Sequence, residues 1–377
     1  MAKFEHYLYQ GGVRMRCGYT TGSCAALAAK AAARRLLLGE NSRTEAIITP
    51  SGIRVEVDIC ALSQDGRSAA CGVYKDAGDD IDVTDGALIC ARVSDSSEPG
   101  IRIDGGEGVG RVTRKGLEQP VGAAAINRVP RQMIEAEVRQ VCRQAGYGGG
   151  LSVTVWVPQG RELAEKTFNP HLGIEGGISI LGTSGIVEPK SMQALRESIR
   201  LEIRQLAANG AKQLLLTPGH YGEDFVASHL ELAKIPVVQC ANFVGDSLDD
   251  AAEFGFEQVL LVGHIGKFVK LAGGIMNTHS RWADCRMELI SAHAALHGAD
   301  RKTIEALMQA ATTDACLDLL ESCGLRQKVV ETLADKAQWH VSRRVGGAYQ
   351  AGLVFYSQQQ GALFITEQAR QIIEHFS

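Results

Sequence analysis

The sequence has 377 residues, of which 45% are hydrophobic and 22% are charged, and a formal net charge of −4. This length is enough for about two domains of ~150 residues each, and the composition is that of a soluble globular protein. The weak negative charge excludes the strong basic field of a general nucleic-acid-binding protein, so an anionic ligand must be held by local Arg and Lys clusters.

Ten cysteines are spread along the chain without a C-x-x-C pair or a Cys/His cluster of zinc spacing. This pattern predicts reduced, mostly buried thiols in a cytoplasmic protein without a metal site. The N-terminal segment MAKFEHYLYQ lacks an apolar signal core, and no apolar run approaches the ~20 residues of a membrane span. We therefore expect no membrane partner. Homo-oligomerisation is left open.

Residues 17–39, CGYTTGSCAALAAKAAARRLLLG, predict a helix that Thr20, Thr21 or Ser23 caps and Gly39 ends. A single hydroxyl is enough for a cap, so the cluster has two interpretations. It is either a well-capped packing helix or a helix start that holds an anionic ligand.

Short strands follow and predict a mixed sheet: Ala46–Thr49, Ile53–Ile59, Cys71–Tyr74, Leu88–Val93, Ile101–Ile103 and Leu151–Val157. The acidic stretch 75–86 lacks the final Glu of a calcium loop and is expected to be a solvated turn. The glycine-rich stretch 104–110 and the segment 122–131 with Arg128 form either an exposed hairpin tip or a carboxylate-binding edge.

Residues 158–176 contain two prolines and several glycines and are expected to connect an α+β N-terminal domain, 1–176, to a second domain, 177–377. In the second domain, predicted strands at Ile178–Leu181, Gln213–Thr217, Val237–Cys240 and Val259–Val262 alternate with helices. This alternation predicts an α/β, Rossmann-like, doubly wound parallel sheet. A further helix is predicted over Trp282–His297, and a late strand over Leu353–Tyr356.

Gly182, Thr183, Ser184 and Gly185 follow the first of these predicted strands and precede a helix that begins at Ser191. In a Rossmann-like sheet this turn cradles a nucleotide-derived cofactor. The sequence is not G-x-G-x-x-G, and the acidic residue expected ~20 residues later is missing. A tight strand–helix turn is the alternative interpretation.

The segment Gly263–Ser280, GHIGKFVKLAGGIMNTHS, follows the fourth predicted strand and contains a short helix that Gly273 ends. Amides at the helix start beside Lys267 suit an anionic group. The spacing is not that of a P-loop, which excludes a nucleotide triphosphatase. The segment is either a ligand pocket at the carboxyl end of a parallel strand or a glycine-rich turn that caps itself.

Three separated motifs, GYTTGSCAALAAKAA, GTSGIVEP with ALRESI, and GHIGKFVKLAGGIMNTHS, resemble the CbiD family. The segments DGGEGVGRVTRKGL and NRVPR are also similar to that family, and the resemblance covers nearly the whole chain. It implies a cobalt-precorrin-5B C1-methyltransferase of cobalamin biosynthesis, with S-adenosylmethionine (SAM) as the cofactor and a polycarboxylate macrocycle as the substrate. The products would be cobalt-precorrin-6A and S-adenosylhomocysteine.

Methyl transfer from a sulfonium needs alignment more than a strong base. We expect His264 and His279 to act in catalysis and Gly182–Gly185 to bind SAM. The expected substrate-binding residues are Thr20, Thr21, Ser23, Arg128, Lys267 and Asn277. A nicotinamide-dependent corrinoid reductase and a non-catalytic corrinoid-binding protein remain as alternatives.

Overall fold

The computed structural model describes residues 4–10, 12–170, 172–229, 232 and 235–375. The chain divides into two compact units, Met1–Met192 and Gln193–Ser377. This division falls later than the expected boundary at residue 176. The reason is that residues 177–178 and 186–187 form strands that pair with strands of the first unit.

The elements of the first unit are, in chain order, β1 (Tyr7–Gln10), β2 (Val13–Arg16), β3 (Gly18–Tyr19), α1 (Thr21–Leu38), β4 (Thr44–Ile48), β5 (Arg54–Asp58), β6 (Cys60–Gln64), β7 (Ser68–Tyr74), β8 (Leu88–Ser96), β9 (Ile101–Gly105), β10 (Gly108–Val109), β11 (Arg111–Val112), α2 (Arg128–Ala145), β12 (Gly150–Trp156), α3 (Gly160–Ala164), β13 (Ile174–Glu175), β14 (Gly177–Ile178) and β15 (Ile186–Val187). Its main sheet has the order β6-β7-β8-β12-β9. Only β12 and β9 are parallel among these neighbours, which makes this the mixed sheet that the sequence predicted.

Helix α1 forms the centre of the first unit and packs against β7, β8 and α2. The Thr20 hydroxyl caps it by accepting a hydrogen bond from the Ser23 amide, and Gly39 ends it at φ 69°. Both ends were predicted. Every residue from Thr21 to Ala33 is buried, because alanine side chains let a sheet and a second helix approach α1 closely.

The acidic stretch 75–86 forms turns with several exposed residues, as expected, but its side chains also make contacts with the protein. Lys75 is buried and pairs with Asp82 at 2.5 Å, and the Ala77 amide donates to an Asp85 carboxylate oxygen at 2.8 Å. Arg16 forms two hydrogen bonds with Asp76. The carboxylates therefore fasten this loop to the body of the first unit.

The elements of the second unit are α4 (Met192–Ala208), β16 (Gln213–Thr217), α5 (His220–His229), β17 (Val237–Gln239), α6 (Val244–Glu253), β18 (Gln258–His264), α7 (Ile265–Ala272), α8 (Arg286–Leu296), α9 (Arg301–Gln309), α10 (Thr313–Ser322), α11 (Arg326–Val345), β19 (Gln350–Ser357), β20 (Gly361–Ile365) and α12 (Glu367–Glu374). The sheet has the order β17-β16-β18-β19-β20. Its first four strands are parallel, and β20 is antiparallel to β19.

Helices cover both faces of this parallel sheet, so the α/β class is confirmed. On one face, α5 and α12 bury Phe225 and Ile372 against Leu260 and Val354. On the other face, Phe268 of α7 packs edge-on against Phe355 at 5.4 Å. Alternate residues of β19 therefore point to opposite helical layers, as in a doubly wound sheet.

Two predictions for the second unit were wrong in detail. Residues 178–181 do not form its first strand, because Ile178 pairs with β10 of the first unit. The fourth parallel strand is instead β19, which the sequence predicted only as a strand late in the chain. The helix predicted from Trp282 begins only at Arg286, and the residues before it form a loop.

All ten cysteines are free thiols, and six of them are buried, as the spacing predicted. In the described part of the chain, no helix combines the length and the apolar character needed to cross a membrane.

Candidate functional site at the carboxyl edge of the parallel sheet

The strand order places a topological switch point between β16 and β18. From β16 the chain runs to β17 on one side and then returns to β18 on the other side. Ligands of open α/β sheets bind outside the carboxyl ends of the strands at such a point. Here the edge is formed by Thr217 with the following Pro218 and Gly219, and by His264 with the start of α7.

His264 is both the last residue of β18 and the N-cap of α7. Its Nδ1 accepts a hydrogen bond of 3.0 Å from the Gly266 amide, so the proton of the neutral ring lies on Nε2. Nε2 faces Asp314 Oδ2 at 3.7 Å. Burial lowers the pKa of His264 below its usual 6.5, and the Asp314 charge partly opposes this shift. The contact with Gly266 and the lowered pKa both favour the neutral ring, which presents an N–H at Nε2.

Asp314 and Ser357 complete this corner of the site, although the sequence reasoning did not select them. The Ser357 hydroxyl, at the end of β19, donates to Asp314 Oδ1 at 2.6 Å. Tyr356 packs edge-on against the His264 ring at 5.6 Å. Ser357 directly follows a predicted strand, and this position could have marked it as a candidate site residue. Asp314 comes from α10 and had no signal beyond its place in the first turn of a helix.

Lys267 lies in the first turn of α7, and its Nζ donates to the Pro218 carbonyl at 3.0 Å. The Lys267 side chain thus links the first turn of α7 to the residue that follows β16, across the switch point. Burial lowers its pKa below 10.5, a shift that the nearby Cys240 opposes. Thr217, at the end of β16, has a buried hydroxyl with no hydrogen-bond partner among the described residues. Among the described residues, no atom lies within 4 Å of the place where a side chain of Gly219 would begin, so this part of the edge is open.

A buried ammonium, that of Lys270, fastens the loop after α7. Its Nζ donates to the carbonyls of Thr278 at 3.1 Å and Ala283 at 2.9 Å, and Asp284 lies 3.9 Å away. Asn242, after β17, accepts the Thr278 amide at 3.0 Å. The loop is therefore tied both to α7 and to the carboxyl edge of the sheet.

Asn277 and His279 lie at the start of this fastened loop. Asn277 Oδ1 accepts the His279 amide at 3.1 Å, and His279 Nδ1 accepts the Arg281 amide at 3.0 Å. His279 therefore also carries its proton on Nε2, and within the described residues that nitrogen has no partner. Both predicted catalytic histidines are hydrogen-bond donors in this arrangement. Either could act as a base only after giving up its backbone contact.

The predicted cofactor turn belongs to the first unit and does not connect two strands of the parallel sheet. The Ser23 hydroxyl donates to the Gly185 carbonyl at 2.7 Å, and the Thr21 hydroxyl accepts the Leu181 amide at 2.9 Å. The expectation that Gly182–Gly185 occupies a Rossmann strand–helix turn is therefore corrected: this turn closes over the start of α1.

The hydroxyl cluster at the start of α1 is buried and has protein partners. Thr20 caps α1, while Thr21 and Ser23 hold the turn. A Cβ on Gly182, which has φ 130°, would lie 2.5 Å from the Thr20 side chain. Contacts within the first unit therefore explain the hydroxyls of Thr21 and Ser23, which are not needed to cap the helix. Thr183 remains exposed, whereas the Ser184 hydroxyl bonds within its own turn to Ile186.

Arg128 is the first residue of α2, and its side chain is 72% exposed with Glu118 3.4 Å away. It therefore belongs to the first unit together with Thr20, Thr21 and Ser23. His264, Lys267, Asn277 and His279 belong to the second unit, where the structure brings them to one edge.

These features define an α/β protein with a candidate ligand site of donors and cations at a parallel-sheet edge. The chain belongs to the CbiD family: residues 8–189 match CbiD, and residues 277–367 match the CbiD C-terminal domain.

Two relatives that are similar over most of the chain carry the same protein name. Cobalt-precorrin-5B C(1)-methyltransferase of Ruminiclostridium cellulolyticum is 46% identical over 94% of this chain and 92% of its own. The protein of that name from Alkaliphilus metalliredigens is 41% identical over 98% and 97%. Among solved structures, the cobalamin biosynthesis protein CbiD of Archaeoglobus fulgidus is 27% identical over 73% of this chain and 86% of its own, with a TM-score of 0.40.

Proposed function

We propose that this protein is a SAM-dependent methyltransferase that methylates C1 of cobalt-precorrin-5B. The products are cobalt-precorrin-6A and S-adenosylhomocysteine, and the cytoplasm is the proposed site of action. The observation that carries the proposal is the 46% identity, over 94% of the chain, to a protein named for this activity. The donors and cations at the carboxyl edge of the second unit's sheet support it, because they suit a polycarboxylate substrate.

The residues at the switch point fit a SAM molecule with a carboxylate tail. Thr217 offers a buried hydroxyl without a partner, Gly219 leaves space for close approach, and Lys267 supplies a positive charge. These residues, rather than Gly182–Gly185, would hold the cofactor's polar groups, because the hydroxyls next to that turn already have protein partners. When bound, SAM supplies an electrophilic methyl group.

The chain's own residues then orient the substrate and bind its charged groups. Methyl transfer would form a bond from the ring carbon to the methyl group and break the carbon–sulfur bond, so the macrocycle would gain positive charge and lose one proton to solvent. His264 and His279 present Nε2–H groups that can bind carboxylates or ring substituents of the substrate. Asp314, held by Ser357, faces His264 and favours the orientation of its ring. Alignment of this kind can supply roughly 7–11 kcal/mol of barrier reduction.

The test is turnover of methyl-labelled SAM with cobalt-precorrin-5B by the purified full chain. We expect one labelled methyl at C1 of the product and one S-adenosylhomocysteine for each product molecule. A parallel reaction contains NADH or NADPH without SAM. Consumption of the nicotinamide with no methyl transfer would replace the proposal by a corrinoid reductase. Tight corrinoid binding without any turnover would replace it by a binding protein.

A further inference from the structure

Trp282 is a large aromatic residue that the fold leaves in solvent, with 72% of its surface exposed. The other two tryptophans have cations over their rings: Arg92 lies over Trp156, and Lys336 and Arg343 lie over Trp339. Within the described residues, Trp282 has no such partner. Burial of an aromatic ring is favourable, so the exposed ring of Trp282 would gain free energy by contacting a ligand.

The segment 279–282 that carries this tryptophan is held in place although its side chains are mostly exposed. Lys270, itself 3% exposed, binds the carbonyls of Thr278 and Ala283 immediately on either side of the segment. Inside it, the Trp282 amide donates to the His279 carbonyl at 3.0 Å. The buried Lys270 ammonium therefore fixes the backbone that carries Trp282. Because this segment is already ordered, less conformational entropy is lost when a ligand binds.

The segment also offers charge and a hydrogen-bond donor. Arg281 is exposed and forms no ion pair with the described residues. The Nε2–H that the tautomer of His279 requires likewise has no partner among the described residues. One short segment thus combines an aromatic face, a guanidinium and an imidazole donor. Together they match a flat conjugated ligand with carboxylates at its edge.

We propose that the segment 279–282 is a macrocycle-binding subsite, in which Trp282 stacks on the tetrapyrrole-derived ring and Arg281 pairs with a peripheral carboxylate. His279 donates a hydrogen bond from Nε2 to the same edge. This inference rests on the proposed function, because it specifies how that substrate class is recognised. It assigns the SAM molecule no contact with the segment.

The experiment measures dissociation constants of two corrinoid probes by calorimetry on the full chain. Cobyrinic acid carries peripheral carboxylates, whereas cobinamide carries amides in their place. Trp282→Ala should weaken both probes about tenfold or more, because stacking does not depend on charge. Trp282→Phe should recover most of that loss. Arg281→Gln should weaken cobyrinic acid about tenfold and leave cobinamide unchanged.

Trp339→Ala is the matched control, since it removes a partly exposed tryptophan whose ring already has cation partners. It should leave both constants unchanged, and no variant should alter S-adenosylhomocysteine affinity or the melting temperature. Equal binding of both probes by wild type and Trp282→Ala would overturn the inference. So would wild type that transfers methyl groups yet binds neither probe. Wild type that neither binds nor transfers would overturn the proposed function as well.

Discussion

The ammonium of Lys267 donates a 3.0 Å hydrogen bond to the carbonyl of Pro218 and so joins the first turn of α7 to the end of β16. Within the described residues, two of its three N–H groups remain for a ligand, and the start of α7 adds positive potential. The bond crosses the switch point of the sheet, where the topology predicts ligand binding.

Lys267→Met is therefore expected to weaken binding of an anionic ligand about tenfold, as for loss of a charge-assisted hydrogen bond. Calorimetric titration with S-adenosylhomocysteine tests the assignment of Lys267 to the cofactor, and titration with cobyrinic acid tests the alternative that Lys267 holds a substrate carboxylate. Lys302→Met, at an exposed position of α9, is the control for charge alone. If neither ligand responds to Lys267→Met, the contact with Pro218 is purely structural.

The binding that depends on Lys267 should also vary with pH. Burial lowers the pKa of this lysine in the free protein, so an anion held by its charge is lost as pH rises through that lowered value, which lies below 10.5. The dissociation constant should rise earlier with pH in wild type than the pKa of an ordinary lysine predicts. A profile that Lys267→Met does not change would count against this assignment.

His264 should make stability depend on pH in mildly acidic solution. Its folded pKa lies below the 6.5 of the unfolded chain, so the unfolded state binds more protons between these two values. The stability that neutral His264 contributes is present above pH 6.5 and is lost as pH falls through the folded pKa, because protonation of Nδ1 removes the Gly266 cap.

Urea denaturation at several pH values tests this linkage. His264→Asn keeps a capping side chain but cannot titrate, so the wild-type free energy of unfolding should fall further than that of the variant between about pH 8 and about pH 5. The difference between the two proteins cancels the other titrating groups. Parallel curves would show that His264 does not titrate in this range.

Lys270→Met should loosen the loop that presents His279 and Trp282. The substitution leaves the carbonyls of Thr278 and Ala283 without their donor, at a cost of ~1–3 kcal/mol for buried groups. Hydrogen exchange should become faster in residues 278–284 while the strands of the sheet stay protected. Lys267→Met provides the comparison, and it should leave this segment protected. Unchanged exchange in Lys270→Met would mean that other contacts hold the loop.

Gly182→Ala should destabilise the first unit. At φ 130° an alanine is strained, and its Cβ would meet Thr20 at 2.5 Å, so we expect a loss of about 1–3 kcal/mol in the free energy of unfolding. Thr183→Ala, at the exposed neighbouring position, should change stability by less than about 0.5 kcal/mol. Thermal denaturation measures both. Wild-type stability combined with lost SAM affinity in Gly182→Ala would restore the cofactor role of this turn.

The sequence alone determined the features that depend on short-range chemistry. Thr20 and Gly39 mark the ends of α1 because a hydroxyl satisfies free amides and glycine adopts positive φ. The apolar run before His264 marks β18, and Gly273 ends the helix that follows. The separated motifs were long enough to identify the CbiD family.

Only the tertiary structure decided which partners these elements have. The turn Gly182–Gly185 looked like a cofactor loop, yet it closes over α1 because neighbouring residues pair with strands of the first unit. Asp314 and Ser357 meet beside His264 although 43 residues separate them in sequence. Strand pairing and side-chain convergence depend on contacts between distant segments, and a local pattern of residue types does not specify which distant segment will supply the partner.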